Sequence, residues 1–118
     1  MGVVGIGGLF FRSKDPDARA AWYREHLGID AGQTSVWEQS AGSTVLAPFP
    51  ADSGYFPADQ QFMLNLRVDD LDALTDRLEA AGIDVERVVD DGDASYGLFA
   101  RIYDPEGLPI ELWQPPSG

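Results

Sequence analysis

The chain repeats one sequence pattern, and that repeat limits the folds open to it more than any other feature. In each half, a strand-like run ending in arginine leads to an aspartate suited to cap a helix, Asp15 in the first half and Asp70 in the second. A glycine suited to end that helix follows at the corresponding place, Gly28 and Gly82. Because caps, stops and apolar pattern all agree, the chain is predicted to hold two related modules.

The first half is predicted to supply one helix and three strands. The helix lies between the first pair of caps, and its apolar stripe includes Ala18 and Trp22. A glycine-laced apolar run predicts a strand at residues 3–12. Alternating side chains predict a hairpin from residues 34–40 and 43–48.

The second half repeats this order and ends in a hairpin. A strand is predicted at residues 61–68, and leucines at helical spacing, among them Leu71 and Leu78, predict the second helix. A further strand at residues 83–89 and a charged turn at 90–93 precede the closing hairpin, residues 96–113. Each half therefore reads as βαβββ.

The last strand of the closing hairpin carries a carboxylate, Glu111, at its middle, where strand propensity disfavours one. Residues 104–107 read Asp-Pro-Glu-Gly, which is typical of a turn. In the strand that follows, Ile110 and Leu112 fall on one face, and Glu111 and Trp113 fall on the other. Glu111 is therefore a candidate ligand-binding or catalytic residue, or one half of a structural ion pair with Arg101 on the neighbouring strand.

Composition excludes several classes of function. The 118 residues suit one small domain, and with no cysteine there is no disulfide, thiolate metal site or thiol nucleophile. The formal net charge of −12 disfavours nucleic acid and anionic membranes as partners. The one histidine, His26, lies near the end of the first helix. A favourable interaction with the helix dipole explains its position better than membership of a catalytic triad. Without an evident signal peptide or an apolar membrane span, we expect a cytoplasmic protein.

The quoted motifs resemble the vicinal oxygen chelate superfamily, which includes glyoxalase I, bleomycin-resistance proteins and extradiol dioxygenases. The resemblance covers nearly the whole chain and lies in the capped helices, the two Leu-Gly-Ile-like stops and the closing Asp-Pro-Glu-Gly hairpin. It implies an α+β fold in which two βαβββ modules, about residues 1–57 and 58–118, form curved mixed sheets around a cleft. It also implies a homodimer, whose modules pair within a chain or across a swapped dimer.

The resemblance bears on metal binding as well. Metal-dependent members place a ligand seven residues before each helix-capping Asp, which corresponds here to Gly8 and Met63, and neither side chain suits a hard divalent ion. Glu111 matches the ligand on the last strand, whereas Glu38 lies off the expected place for the remaining one. One carboxylate does not hold a catalytic metal, so we expect no metal cofactor.

An aromatic-lined cleft around Glu111 is the predicted binding site, because aliphatic residues already fill the helix-facing positions. A loop at residues 49–57, rich in proline and aromatic residues, is predicted to pack back as a lid or wall. The alternative for these aromatic residues is a core or a subunit interface. The predicted ligand-binding residues are Phe10, Trp37, Phe49, Phe56, Tyr96, Phe99, Arg101 and Trp113.

These expectations favour a metal-free protein that binds a small cationic or aromatic molecule, as in the bleomycin-resistance branch. The alternative is an enzyme of the same superfamily, a lyase, isomerase or dioxygenase that uses a metal or Glu111 as a base. A purely structural partner module is the third possibility.

Overall fold

The computed structural model describes residues 2–87 and 96–116 of the chain. Contacts divide the chain into two compact units, Met1–Trp37 and Glu38–Gly118. The first unit holds helix α1 (Pro16–Leu27). The second holds β1 (Leu64–Arg67), α2 (Leu71–Ala80), β2 (Glu86–Arg87), β3 (Leu98–Tyr103) and β4 (Pro109–Gln114).

Helix α1 begins and ends where its sequence signals predict. The Asp15 side chain caps its N-terminus by accepting a hydrogen bond from the Ala18 amide at 3.2 Å, and Pro16 occupies the first turn. Gly28 ends the helix in the left-handed conformation, with φ of 67°. These local signals suffice because each one acts within a single helical turn.

The predicted apolar stripe of α1 is wrong. The buried residues of this helix are Arg19 and Tyr23, whereas Trp22 is half-buried. The Arg19 guanidinium donates to the Arg12 carbonyl at 2.9 Å and lies 4.6 Å from the centre of the Phe11 ring. An arginine with these partners can be buried because its charge is stabilised by a carbonyl and an aromatic face.

The strands predicted at residues 3–12, 34–40 and 43–48 are not formed in this single chain, so these predictions are wrong for it. These segments form no helix or strand and are largely exposed, and Val3 and Val4 are 97% and 99% exposed. Their apolar composition suits strands, but a strand also needs a neighbour for its backbone hydrogen bonds.

The second unit forms one curved four-stranded sheet in the order β1-β4-β3-β2. Strand β4 is central: β1 runs parallel to it on one side, and β3 runs antiparallel on the other. With α2 between β1 and β2, this is the βαβββ order that the second half of the sequence predicts. The α+β class is thereby confirmed.

One face of this sheet packs on α2 and forms the core. Ile102, Ile110 and Leu112 are fully buried, and Leu71 and Leu78 of the helix are 5% and 1% exposed. Each such aliphatic side chain stabilises the fold by about 1.5–3 kcal/mol. The alternation of β4 therefore turns Glu111 and Trp113 to the opposite face, as predicted.

The ends of α2 and the edge of the sheet are tied together by polar contacts. Asp70 caps α2 by accepting from the Ala73 amide at 3.1 Å. Arg87 of the edge strand β2 donates to the Thr75 hydroxyl at 2.6 Å and to the Glu79 carboxylate at 2.5 Å. Strand β2 thus docks on the helix as well as on β3.

The turn between β3 and β4 is built on a buried carboxylate. Asp104 is 4% exposed, and its Oδ1 accepts from the amides of Glu106 at 2.8 Å and Leu108 at 3.1 Å. Gly107 has φ of 89°, which favours glycine. The Asp-Pro-Glu-Gly turn prediction is therefore confirmed.

Some predictions lie outside the residues that the structure describes. These are the end of the strand predicted at residues 83–89 and the charged turn at 90–93. Among the described residues of that segment, 83–87, only those of β2 form a strand. Within residues 2–87 and 96–116, neither helix has the length and apolar character needed to cross a bilayer.

Candidate functional site

Three neighbouring strands set polar side chains in one row on the sheet face away from α2. Asn65 of β1 lies opposite Glu111 of β4, and Glu111 lies opposite Arg101 of β3. Residues that are opposite one another in adjacent strands point to the same face, with Cβ atoms about 5 Å apart. The β-sheet register therefore brings an amide, a carboxylate and a guanidinium together.

The Glu111 carboxylate is buried, with the residue only 7% exposed, and both of its oxygens have donors. Asn65 Nδ2 donates to Oε1 at 2.8 Å, and the Tyr55 hydroxyl donates to Oε2. Hydrogen bonds to a charged group are stronger than neutral ones, which compensates for the loss of water around the carboxylate.

Arg101 contacts the loop tyrosine instead of the carboxylate. Its guanidinium lies 4.9 Å from the centre of the Tyr55 ring, and its Nη2 lies 3.4 Å from Met63 Sδ. Across the described residues, Arg101 forms no ion pair with Glu111, so the structural ion pair that the sequence left open is not formed. The guanidinium still belongs to the polar row and can meet a polar group of a ligand.

The environment of Tyr55 raises the pKa of its phenol above the ordinary value of 10.0. Burial is the largest cause, and the hydrogen bond to Glu111 and the negative charge of that carboxylate add to it. The Arg101 guanidinium opposes the shift. Tyr55 is therefore a proton donor to Glu111 throughout the neutral range.

The next row of the same sheet face is aromatic. Phe99 and Trp113 lie opposite each other, with ring centres 6.4 Å apart and ring planes only 11° from parallel. The Trp113 indole N–H donates to the Tyr96 carbonyl at 2.7 Å, which fixes the orientation of the ring. Arg67, opposite Trp113 on β1, donates to the Ser40 carbonyl at 2.9 Å and ties the preceding segment to the sheet.

The proline- and aromatic-rich loop contacts the sheet, as predicted. Phe49 lies 5.7 Å from Tyr55 and 5.6 Å from Phe56, measured between ring centres. Tyr55 then connects this cluster to Glu111 through its hydroxyl. The loop thus forms an aromatic wall beside the polar row.

The structure brings some of the predicted site residues together and leaves others apart. Phe49, Phe56, Phe99, Arg101, Glu111 and Trp113 lie in the rows or wall described above. Tyr96 contributes its carbonyl to Trp113, while its side chain is 72% exposed. Phe10 and Trp37 belong to the first unit, where they are 93% and 39% exposed, and their place in the cleft stays a prediction.

Two members of the site are missed by reasoning from the sequence. Tyr55 is recognised only as a loop aromatic, and Asn65 only as a polar residue within a strand. Both have the donor groups that a buried carboxylate needs, which is a usable signal. Their pairing with Glu111 depends on long-range contacts, which the periodicity of one strand does not contain.

The donor set around Glu111 does not fit a catalytic divalent metal. It consists of one carboxylate, one amide and one phenol, and the Met63 sulfur contacts Arg101. In the part of the chain that the structure describes, no three His, Cys, Asp or Glu residues group closely enough to hold a metal ion.

Comparison with solved structures finds the same fold in known proteins. TnmS3, an antibiotic binding protein from Streptomyces sp. CB03234, is 26% identical, with a TM-score of 0.65 over 98% of this chain and 99% of that one. A glyoxalase/bleomycin resistance protein from the same organism is 28% identical, with a TM-score of 0.57 over 86% of this chain and 92% of that one. A lactoylglutathione lyase from Agrobacterium tumefaciens, at 22% identity and a TM-score of 0.56 over 86% of this chain and 87% of that one, is similar in fold.

The sequence itself identifies the family. No curated protein matches the chain. The sequence profile of the glyoxalase-like domain, however, matches residues 8–113, nearly the whole chain. With its α+β architecture and its neighbours of the glyoxalase/bleomycin-resistance fold, the chain belongs to the glyoxalase-like domain family of the vicinal oxygen chelate superfamily.

Proposed function

We propose that this protein binds and sequesters a small aromatic molecule on the sheet face around Glu111, without a catalytic metal. The observation that carries the proposal is the pair of rows on that face: a buried carboxylate with a guanidinium beside it, and next to them two nearly parallel aromatic rings. Sites for small molecules combine such apolar surface with a few fixed polar groups.

The aromatic row supplies a surface for a flat ligand. Phe99 and Trp113 are half-buried, so each residue keeps part of its surface accessible. Because the indole N–H donates a hydrogen bond to the Tyr96 carbonyl, the Trp113 side chain loses little further conformational freedom when a ligand stacks on it. A preorganised ring contributes more to affinity than a mobile one.

The charge of the chain supports a ligand that is neutral or cationic. A formal charge of −12 attracts cations and repels anions over the whole surface. At the site itself, however, Arg101 lies within 4.9 Å of the Tyr55 ring and opposes a positive charge at that point. An aromatic molecule with its cationic group outside the polar row meets both conditions.

The similarity to one relative and the chemistry of the site support binding. The similarity to TnmS3, described as an antibiotic binding protein, extends over 98% of this chain. The donor set at Glu111 also lacks the carboxylate and imidazole ligands that a metal-dependent lyase or dioxygenase requires.

We further propose that the working form is a homodimer. Apolar residues at positions 3–12 and 34–48 are exposed in the single chain; examples are Val3, Val4 and Phe10, at 93–99%, and Val45 and Leu46, at 74% and 86%. Exposed apolar patches mark interaction surfaces, and a second copy would supply the missing strand neighbours. Light scattering after size-exclusion chromatography tests this, and a monomer at every concentration would contradict it.

The binding proposal is tested with flat aromatic probes. We would titrate 9-aminoacridine, a cation, and 2-methoxynaphthalene, a neutral compound, and measure heats of binding, which do not depend on tryptophan emission. Trp113→Ala is expected to weaken both probes about tenfold or more, because one side of the stacking surface is lost. Tyr103→Ala, on the same strand as Phe99 but two rows away, is the matched control and is expected to leave both affinities unchanged.

Three outcomes would overturn the proposal. The first is equal weakening by Trp113→Ala and Tyr103→Ala, and the second is no binding of either probe. The third is a divalent ion present in the purified protein at one equivalent and lost in Glu111→Gln, which would favour the enzyme alternative.

A further inference from the structure

The Tyr55 side chain occupies the site in the manner of a bound ligand. Its hydroxyl donates to Glu111 Oε2, and its ring lies below the Arg101 guanidinium at 4.9 Å. A phenol is thus held at both ends, with a carboxylate at its polar group and a cation over its ring.

The two donors to Glu111 are held with different strength. Asn65 belongs to β1, whose ladder with β4 fixes its amide against Oε1 at 2.8 Å. Tyr55 comes from a loop outside every strand, and the residue is 45% exposed. Within the described residues, the backbone of Tyr55 forms one hydrogen bond, in which its amide donates to Ser53 Oγ at 3.2 Å. Oε2 is therefore the replaceable position and Oε1 the fixed one.

We propose that Glu111 Oε2 is a recognition site for the hydroxyl of a phenolic ligand, and that Tyr55 is an internal competitor that leaves when this ligand binds. This inference rests on the proposed function and names its ligand class, a hydroxylated aromatic molecule. The incoming hydroxyl donates to Oε2, and its ring takes the place of the Tyr55 ring beside Arg101. No covalent bond changes, and the proton stays on the phenol.

Exchange of one phenol for another explains the preference. A phenolic ligand returns to Oε2 the donor that Tyr55 withdraws, so the buried carboxylate keeps two partners throughout. A methyl ether of the same shape has no donor for Oε2, so it does not displace Tyr55 and binds on the aromatic row alone. An amine would donate too, but its positive charge would face Arg101 at close range.

The displaced loop also exposes the aromatic wall. Phe49 packs against both Tyr55 and Phe56, so movement of Tyr55 removes one neighbour of Phe49. A ligand larger than a single ring can then contact Phe49 with its far edge while its hydroxyl stays on Glu111. Tyr55 thereby links occupancy of the polar row to the position of the loop.

The test compares 2-naphthol with 2-methoxynaphthalene, which differ by replacement of the donor proton with a methyl group. Calorimetry on the full chain is expected to show about tenfold tighter binding of 2-naphthol. Tyr55→Phe is expected to tighten 2-naphthol several-fold, since the competing hydroxyl is gone, and to leave 2-methoxynaphthalene nearly unchanged. Glu111→Met is expected to abolish the preference; if it does not fold, Tyr55→Phe alone decides.

Displacement is followed separately by fluorine NMR on protein labelled with 3-fluorotyrosine, with the Tyr55 signal assigned by its loss in Tyr55→Phe. Saturating 2-naphthol is expected to shift that signal, and an unmoved signal would overturn the displacement.

Failure of this inference is distinguishable from failure of the proposed function. If both naphthalenes bind equally and both are weakened by Trp113→Ala, the phenol site is wrong and the binding function stands. A preference for 2-naphthol that survives Glu111→Met, or an affinity for 2-naphthol that Tyr55→Phe leaves unchanged, also overturns the inference. If neither compound binds to the unmodified protein or to Tyr55→Phe, both proposals are wrong.

Discussion

Removal of the Tyr55 hydroxyl is expected to destabilise the fold, because it is one of two protein donors to a buried carboxylate. Glu111 is 7% exposed, and a hydrogen bond to such a charged group contributes about 1.5–3 kcal/mol. Tyr55 itself is 45% exposed, so water can partly replace its hydroxyl. We therefore expect Tyr55→Phe to lower the free energy of unfolding by about 1–2 kcal/mol.

A double-mutant cycle with Asn65→Ala makes this prediction sharper. Asn65→Ala removes the other donor and is expected to have a similar effect, about 1–2 kcal/mol. With both donors gone, the carboxylate has no protein donor in the described structure. We expect the double variant to lose about 1 kcal/mol more than the two single losses together, since an unpaired buried charge is disproportionately unfavourable.

Urea denaturation followed by tryptophan fluorescence measures these values at pH 7. For an m-value of about 2 kcal/mol/M, a loss of 1.5 kcal/mol moves the midpoint by about 0.7 M. Protein concentration is held constant, because dimer formation would add to the apparent stability.

Tyr103→Phe is the matched control. Tyr103 is 39% exposed, and its hydroxyl has no hydrogen-bond partner in residues 2–87 and 96–116. The control is expected to change stability by no more than about 0.5 kcal/mol. A Tyr55→Phe variant that behaves like this control, or a double variant that is simply additive, would refute the network around Glu111.

Three further perturbations test other parts of the structure. Because folding raises the pKa of Tyr55, the folded protein keeps a proton that the unfolded chain releases, and this contribution to stability is complete below pH 10.0 and declines above it. Denaturation between pH 9 and pH 11.5 should therefore show that the free energy of unfolding falls less steeply with pH in Tyr55→Phe than in the unmodified protein. Parallel curves would contradict this. Gly97→Ala should lower the thermal unfolding temperature far more than Gly107→Ala. Both glycines have positive φ, 107° and 89°, but only at Gly97 would an added Cβ collide with the backbone. Equal effects would contradict the structure. Asp104→Ala should lower the free energy of unfolding by about 2–3 kcal/mol, because two backbone amides lose their acceptor, whereas Asp104→Asn keeps an acceptor and should lose less than half as much; equal losses would argue against this turn.

Much of the second unit is predictable from sequence because its signals are local. Asp70 caps α2 as expected, just as Asp15 caps α1 in the first unit, and the alternation of β4 correctly separates Leu112 from Glu111. Each of these inferences needs only the period of one element or the chemistry of one turn. The βαβββ order predicted for the second half also matches the order of its elements.

Other parts are not predictable because they depend on partners remote in sequence. The apolar runs at residues 3–12 and 34–48 have strand composition, yet among residues 2–87 and 96–116 of one chain no strand pairs with them. Arg19 is buried through an aromatic face and a carbonyl that no helical periodicity reveals. The Glu111 site likewise joins Tyr55 and Asn65 across 56 and 46 positions of sequence.

The central position of β4 has a consequence for biosynthesis. The strand between β1 and β3 is the last of the sheet to be synthesised, so no part of the β1 edge has its neighbour until residues 109–114 have left the ribosome. Strand β1 and helix α2 therefore lack their packing partner β4 while the second half of the module is translated. Nascent chains expose apolar surface during that interval. A ribosome that stalls before Pro109 leaves β1 without its neighbour β4, so the sheet is completed only when the final strand is synthesised.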